Sequence, residues 1–235
     1  MSYSPQLVYF LDRLSGFSTN TFKLMPQGSP DGILPGAISR FTLPANALLN
    51  TRSFKVFFKA GTTGTGARLP ADISQLVERV EVSAGGVQLS QGTNFYGTLC
   101  MAKAALMGSY ADSVTGHAEI VRNNMFNGRA VAAATSEGTG AAGNPQLDVC
   151  IDKWEGFLGT CEPKILDAAI LPDLVVSIYW APKEVLSSSR DADTIADFLL
   201  APAAGASATY TLNNLHATIE TIGLADSVYD NMVAS

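Results

Sequence analysis

The chain has 235 residues, with 47% hydrophobic and only 15% charged side chains, a net charge of −6 and a pI near 4.8. Ordinary globular domains carry about 25% charged residues, so this one has much to bury and little charge to display. Its 15 basic residues are scattered, with none in the first twelve positions. No basic arm or patch is present to displace the counterions of a nucleic acid, and direct genome binding is not expected.

From the N-terminus, Met1–Leu14 has no positively charged leader and no cleavage signal, so it is not read as a signal peptide. Leu7–Leu11 is an apolar run that solvent would not favour. The first strand signal is Ile38–Leu43, entered after Pro35-Gly36 and closed by Pro44. Ser53–Lys59 alternates, with Phe54, Val56 and Phe58 on one face and Lys55 and Lys59 on the other. Gly61–Arg68 resembles a phosphate loop, but Ala67 and Arg68 stand where a Lys and a hydroxyl residue are required. It reads instead as a hairpin loop. Pro70–Gln75 predicts one helical turn. Val77–Ser83 predicts a strand, with Val80 and Val82 opposite Arg79 and Glu81, and Gly85-Gly86 predicts a tight hairpin into Val87–Leu89.

Asn94–Met107 is proline-free and alanine-rich and reads as a helix, as does Asp193–Leu200 after its acidic start. Residues 130–145 are small and Gly-rich and are expected to form a flexible loop insertion within one domain spanning 1–235. In Leu174–Trp180, Leu174, Val176, Ile178 and Trp180 share one face and Val175 and Tyr179 the other, so a central strand covered on both faces is expected. Thr209–Ile222 is a long strand whose inward phase switches between Leu212 and Ile219, as a bulge would require. Ala225–Val233 suits a short closing helix. No 20–50-residue repeat occurs, and no apolar run is long enough to span a bilayer as a helix. Many short strands, long loops and two or three peripheral helices predict an all-β fold, an antiparallel sandwich.

Chemistry is sparse. His117 and His216 lie in no metal or triad spacing, and no nucleophile elbow is present. Asp148, Asp152, Asp167 and Asp173 are too dispersed for a calcium loop. Cys100, Cys150 and Cys161 are odd in number and lack CxxC spacing, which favours reduced thiols over a zinc site or a disulfide scaffold. No catalytic, cofactor or metal residues are assigned. Trp154, Trp180 and Tyr179 are candidates for a sugar-stacking platform. Trp180 follows the phase of Ile178 and belongs to the core, whereas Trp154 lies in a loop.

Four segments together resemble the jelly-roll capsid proteins of double-stranded DNA viruses, in the vertical single and double jelly-roll lineage. They are ISRFTLPANALLNTRSFKVFFKA (Ile38–Ala60), LPADISQLVERVEVSAGGVQLSQGTNFYG (Leu69–Gly97), GFLGTCEPKILDAAILPDLVVSIYWAP (Gly156–Pro182) and YTLNNLHATIETIGLADSVYDNMV (Tyr210–Val233). The resemblance implies an eight-stranded jelly-roll sandwich in an icosahedral virion, self-assembling as trimers or pentamers with other capsid proteins. It implies no cofactor and no catalytic residue. It also suits a shell whose genome lies behind a viral membrane or other proteins. Many such proteins carry two rolls, so the chain is either a single-roll protein or the N-terminal part of a longer one. Two other functions compete: a lectin-like or fibre-head module centred on Trp154, and a hydrolase on a β scaffold, for which no acid pair or nucleophile is evident. Residues 130–145 and Met1–Leu14 are expected to reach neighbouring subunits.

Overall fold

A computed structural model describes residues 17–45, 47–63, 67–70, 73–90, 94–107, 147–160, 165–169, 171, 173–188 and 209–224. The strands are β1 (Phe17–Leu24), β2 (Ile38–Thr42), β3 (Leu48–Thr63), β4 (Ala67–Arg68), β5 (Val77–Ala84), β6 (Val87–Ser90), β7 (Leu147–Ile151), β8 (Ile165–Asp167), β9 (Val175–Trp180), β10 (Ser187–Ser188) and β11 (Thr209–Leu224). Two helices accompany them, α1 (Tyr96–Met107) and the single turn α2 (Phe157–Thr160), with 3-10 turns at Ile73–Leu76 and Lys183–Val185.

All pairings are antiparallel. The first sheet runs β1-β11-β3-β7, with β8 beside the other end of β3, and the second runs β2-β9-β5-β6. Setting aside the two-residue pair β4–β10, and counting β7 and β8 as one position beside β3, leaves eight principal strands. In chain order their sheets read 1-8-3-6 and 2-7-4-5. Only the fourth and fifth form a hairpin; every other connection crosses from one sheet to the other. That strand order is the jelly roll, two Greek keys wrapped into a sandwich.

Alternation explains how the layers close. Phe54, Val56, Phe58 and Ala60 on β3, Val80 and Val82 on β5, and Val176, Ile178 and Trp180 on β9 are all buried between the sheets. Polar groups that the aromatics carry inward are satisfied. Trp180 Nε1–H donates to Ser39 Oγ at 2.9 Å, and the Tyr210 hydroxyl donates to the carbonyl of Ala181. Burial raises the hydroxyl pKa of Tyr210 above the usual phenol range.

The phase switch in β11 is a bulge. Tyr210 and Leu212 point inward, then Leu215, Ala217 and Ile219, and the register slips between Asn213 and His216. Asn214 holds the left-handed conformation at φ 52°, which asparagine tolerates. The β1–β2 loop clasps this point. Asn214 N–H donates to Asp31 Oδ1 at 2.7 Å, Gly32 N–H to Asn213 Oδ1 at 2.8 Å, and Leu215 N–H to the Pro30 carbonyl at 2.9 Å.

Three expectations change. The Gly61–Arg68 segment is no hairpin, because β4 pairs with β10 in a separate ladder instead of folding back on β3. Phe157–Thr160, whose Gly-bracketed aromatic sequence reads as a turn, closes into a helical turn. Strands β1, β7 and β8 carry no expected counterpart. The N-terminal segment, residues 130–145, Asp193–Leu200 and Ala225–Val233 lie outside the described residues, as do His117 and Cys161.

Candidate assembly surface

The candidate surface begins at one end of the sandwich, where α1 meets β5. Tyr96, the first residue of α1, is buried; its hydroxyl accepts the Glu155 N–H at 2.8 Å, and its ring lies 6.0 Å from that of Trp154. Burial pushes the hydroxyl pKa of Tyr96 above the ordinary phenol range. Gly97 sits directly on the backbone of Gln75, where an added Cβ would lie 2.7 Å from Cα. These two contacts fix the helix start and turn Phe95 outward. Phe95 is 72% exposed and sits at φ 57°, a conformation in which a bulky side chain is a genuine outlier.

Phe95 walls an open cleft of about 230 Å³, lined also by Glu78, Arg79, Asn94 and Tyr179. The cleft opens on the outer face of the second sheet. There Arg79 forms an ion pair with Glu81 and lies over the Tyr179 ring, with its guanidinium carbon 5.2 Å from the centroid. The Tyr179 hydroxyl donates to Glu81 Oε2 at 2.8 Å. Ile38, the register partner of Tyr179 on β2, is 45% exposed. The result is a band of Ile38, Tyr179, Arg79 and Phe95, in which the aromatic and arginine side chains are types enriched at protein–protein contacts.

The other sequence candidates take structural places. Trp154 is buried, not exposed in a loop: its ring packs 5.8 Å from Phe54, and its Nε1–H donates to the Phe54 carbonyl at 3.0 Å. The sugar platform with Trp154 and Trp180 therefore does not exist, since both indoles face the core. His216 stacks on Phe57 at 5.3 Å with its Nδ1 on the Asn214 carbonyl, on the outer face of the first sheet. Cys100 and Cys150 are half-buried thiols, and desolvation pushes Cys150 up to about 11. Among the described residues no group of three or more His, Cys, Asp or Glu could hold a metal, and no helix is long and apolar enough to cross a membrane. Sequence reading missed Phe95, whose exposure comes from the anchoring of its neighbours.

No protein-family model and no curated protein matches the chain. Solved structures do. VP54 of the virus PBCV-1, in a crystal structure fitted into a reconstruction of the virophage Sputnik, aligns over 92% of this chain with a TM-score of 0.52 and 14% identity. The fold is that of a viral jelly-roll capsid protein. Further alignments are with the Faustovirus major capsid protein, over 91% of this chain at 9% identity and TM-score 0.47, and with the PBCV-1 virus capsid, over 92% at 15% identity and TM-score 0.48. The chain spans 44% of the VP54 chain and 56% of the Faustovirus chain.

Proposed function

We propose that this chain is a structural component of a virus shell, a single roll over residues 1–235 that assembles with copies of itself and with other capsid proteins in the virion. The strand order 1-8-3-6 and 2-7-4-5 carries the reading, because it is the jelly-roll order in a chain that aligns with VP54 over 92% of its length. Two observations support it. The two indoles that would serve sugar stacking, Trp154 and Trp180, are buried in the core, and a band of exposed aromatic, aliphatic and guanidinium groups faces outward on the second sheet. Apolar surface buried between protomers would drive association at about 25 cal/mol per Å² before the costs of ordering, and closed symmetry would set the copy number as a trimer or pentamer. The protein acts by assembly and performs no catalysis.

Size-exclusion chromatography coupled to light scattering, followed by electron microscopy of the concentrated protein, tests this reading. Discrete trimers, pentamers or closed shells are the expected result. A chain that stays monomeric at every concentration, alone and with its co-expressed shell partners, would overturn it.

A further inference from the structure

We propose that the outer face of the second sheet is a self-complementary contact between two copies of this chain, with Ile38 of each copy seated in the Phe95–Tyr179 cleft of the other. The proposal rests on the shell reading above and adds the surface, the partner and the orientation.

The first observation is the display of Phe95. The anchoring of Tyr96 and Gly97 explains why position 95 points outward, but not why an aromatic stands there. A glycine or asparagine would hold φ 57° with less strain and expose less apolar surface. Among the described residues Phe95 walls an open cleft and stays 72% exposed, so a second molecule is what would cover it.

The second observation is the register of the outer face. Three rows cross β2, β9 and β5: Ile38–Tyr179–Arg79, Arg40–Ser177–Glu81 and Thr42–Val175–Ser83. The β5 side carries Glu78 and Glu81 against one cation, Arg79. The β2 side carries Arg40, which is exposed and makes no ion pair among the described residues. The face is thus acidic over β5 and basic over β2. Two copies that meet face to face about a two-fold axis with their strands aligned can do so in two ways. An axis across the strands sets β2 on β2 and β5 on β5, opposing like charges. An axis along the strands exchanges β2 with β5 and keeps each row opposite itself.

The second arrangement places Arg40 of one copy against Glu81 of the other, twice, as an isologous contact demands. Glu81 has acceptor capacity left beyond Arg79 and Tyr179, since a carboxylate offers about four lone-pair sites. The same operation sets Ile38 over Arg79 of the other copy, at the mouth of the cleft walled by Phe95. Tyr179 then faces Tyr179 on the axis. An aliphatic side chain enters an aromatic cleft, a polar row flanks it, and charges match on both sides.

The test compares self-association of the full chain and three variants by sedimentation and light scattering across concentration. Ile38→Glu and Phe95→Gly are each expected to weaken association roughly tenfold or more. Phe95→Gly should also melt at the same temperature as the parent or higher, which separates the contact from a role in folding. Val87→Ser, which removes an equally exposed apolar side chain from β6 of the same sheet, should associate as the parent does. If the parent assembles and the first two variants assemble equally well, or Val87→Ser weakens it as much, this interface is wrong and the shell reading stands. A parent that never associates would remove both.

Discussion

The hydroxyl of Ser53 accepts the backbone N–H of Glu220 at 2.8 Å and donates to the carbonyl of Asn50 at 2.7 Å. The two residues lie 167 positions apart, yet this one oxygen fills the gap left where β3 and β11 lose register. Between Thr218 and Glu220 the partner positions on β3 jump from Lys55 to Asn50. The extra residues form a second bulge, and inward phase on β3 changes there from Leu49, Thr51 and Ser53 to Phe54, Val56 and Phe58.

Replacing Ser53 with Ala strands a backbone donor and an acceptor in a mostly buried site. A loss of about 1–3 kcal/mol is expected in urea unfolding, from leaving buried polar groups unpaired. An unchanged midpoint would mean that water enters the bulge and replaces the hydroxyl.

Gly159→Ala should be the most damaging single methyl in the described fold. Its Cβ would lie 1.5 Å from the carbonyl oxygen of Trp154, so α2 must move away from the aromatic cluster. Gly97→Ala meets Gln75 Cα at 2.7 Å and should cost less, about 1–3 kcal/mol as an overpacked contact. Melting temperatures should fall in the order parent, Gly97→Ala, Gly159→Ala.

Trp154→Phe keeps most of the packing against Phe54 and Tyr96 but leaves the Phe54 carbonyl unpaired, so a cost of about 1–3 kcal/mol is expected. Trp154→Ala should cost about 3–5 kcal/mol. Neither change should alter binding on a glycan array. A glycan signal lost only with Trp154 would revive the sugar-binding alternative.

Alkaline pH should destabilise the protein. Desolvation, followed by repulsion from Asp152, raises Cys150 from 9.0 to about 11, so the folded state holds the thiol proton where the unfolded state releases it. Stability from this group is complete below pH 9 and is lost as pH climbs from 9 towards 11. The raised hydroxyls of Tyr96 and Tyr210 act in the same direction above pH 10. Chemical denaturation at pH 7, 9 and 10.5 should show a progressive fall, and alkylation of Cys150 in the native protein at pH 8 should be slow. Equal stability at all three pH values would contradict this.

The sandwich was legible where alternation was clean. Val77–Ala84 with its Gly85-Gly86 turn, the buried face of the strand ending at Trp180, and the phase switch in Thr209–Leu224 all read directly from side-chain period, whereas the Val175 and Tyr179 face of that strand, expected to be covered too, is only half-buried. What was hidden has a physical cause in each case. β1 is an edge strand of mostly Thr, Asn and Ser, and its inward Phe22 stays 46% exposed, so it presents no apolar stripe. β3 extends to 16 residues because buried Thr51 and Ser53 take inward positions that look polar in sequence. Trp154 read as a loop aromatic because its burial comes from α1 and β3, elements far from it in the chain. The candidate surface was hidden for the same reason: Ile38, Arg79, Phe95 and Tyr179 are gathered by strand register and by the anchoring of Tyr96, neither of which a local pattern reveals.

β1 and β11 pair along all eight residues of β1, with Phe17 opposite Leu224 at the outermost rung. The first and last described strands therefore end side by side. Antiparallel ladder bonds lie perpendicular to the strands, so tension applied through the two flanks would load the Phe17–Leu224 rung alone and open the rungs in turn, like a zipper. Tension along the strand axis would load all of them together. The roll has a weak direction and a strong one, and whatever holds Phe17 and Leu224 together would leave only the strong one exposed to load.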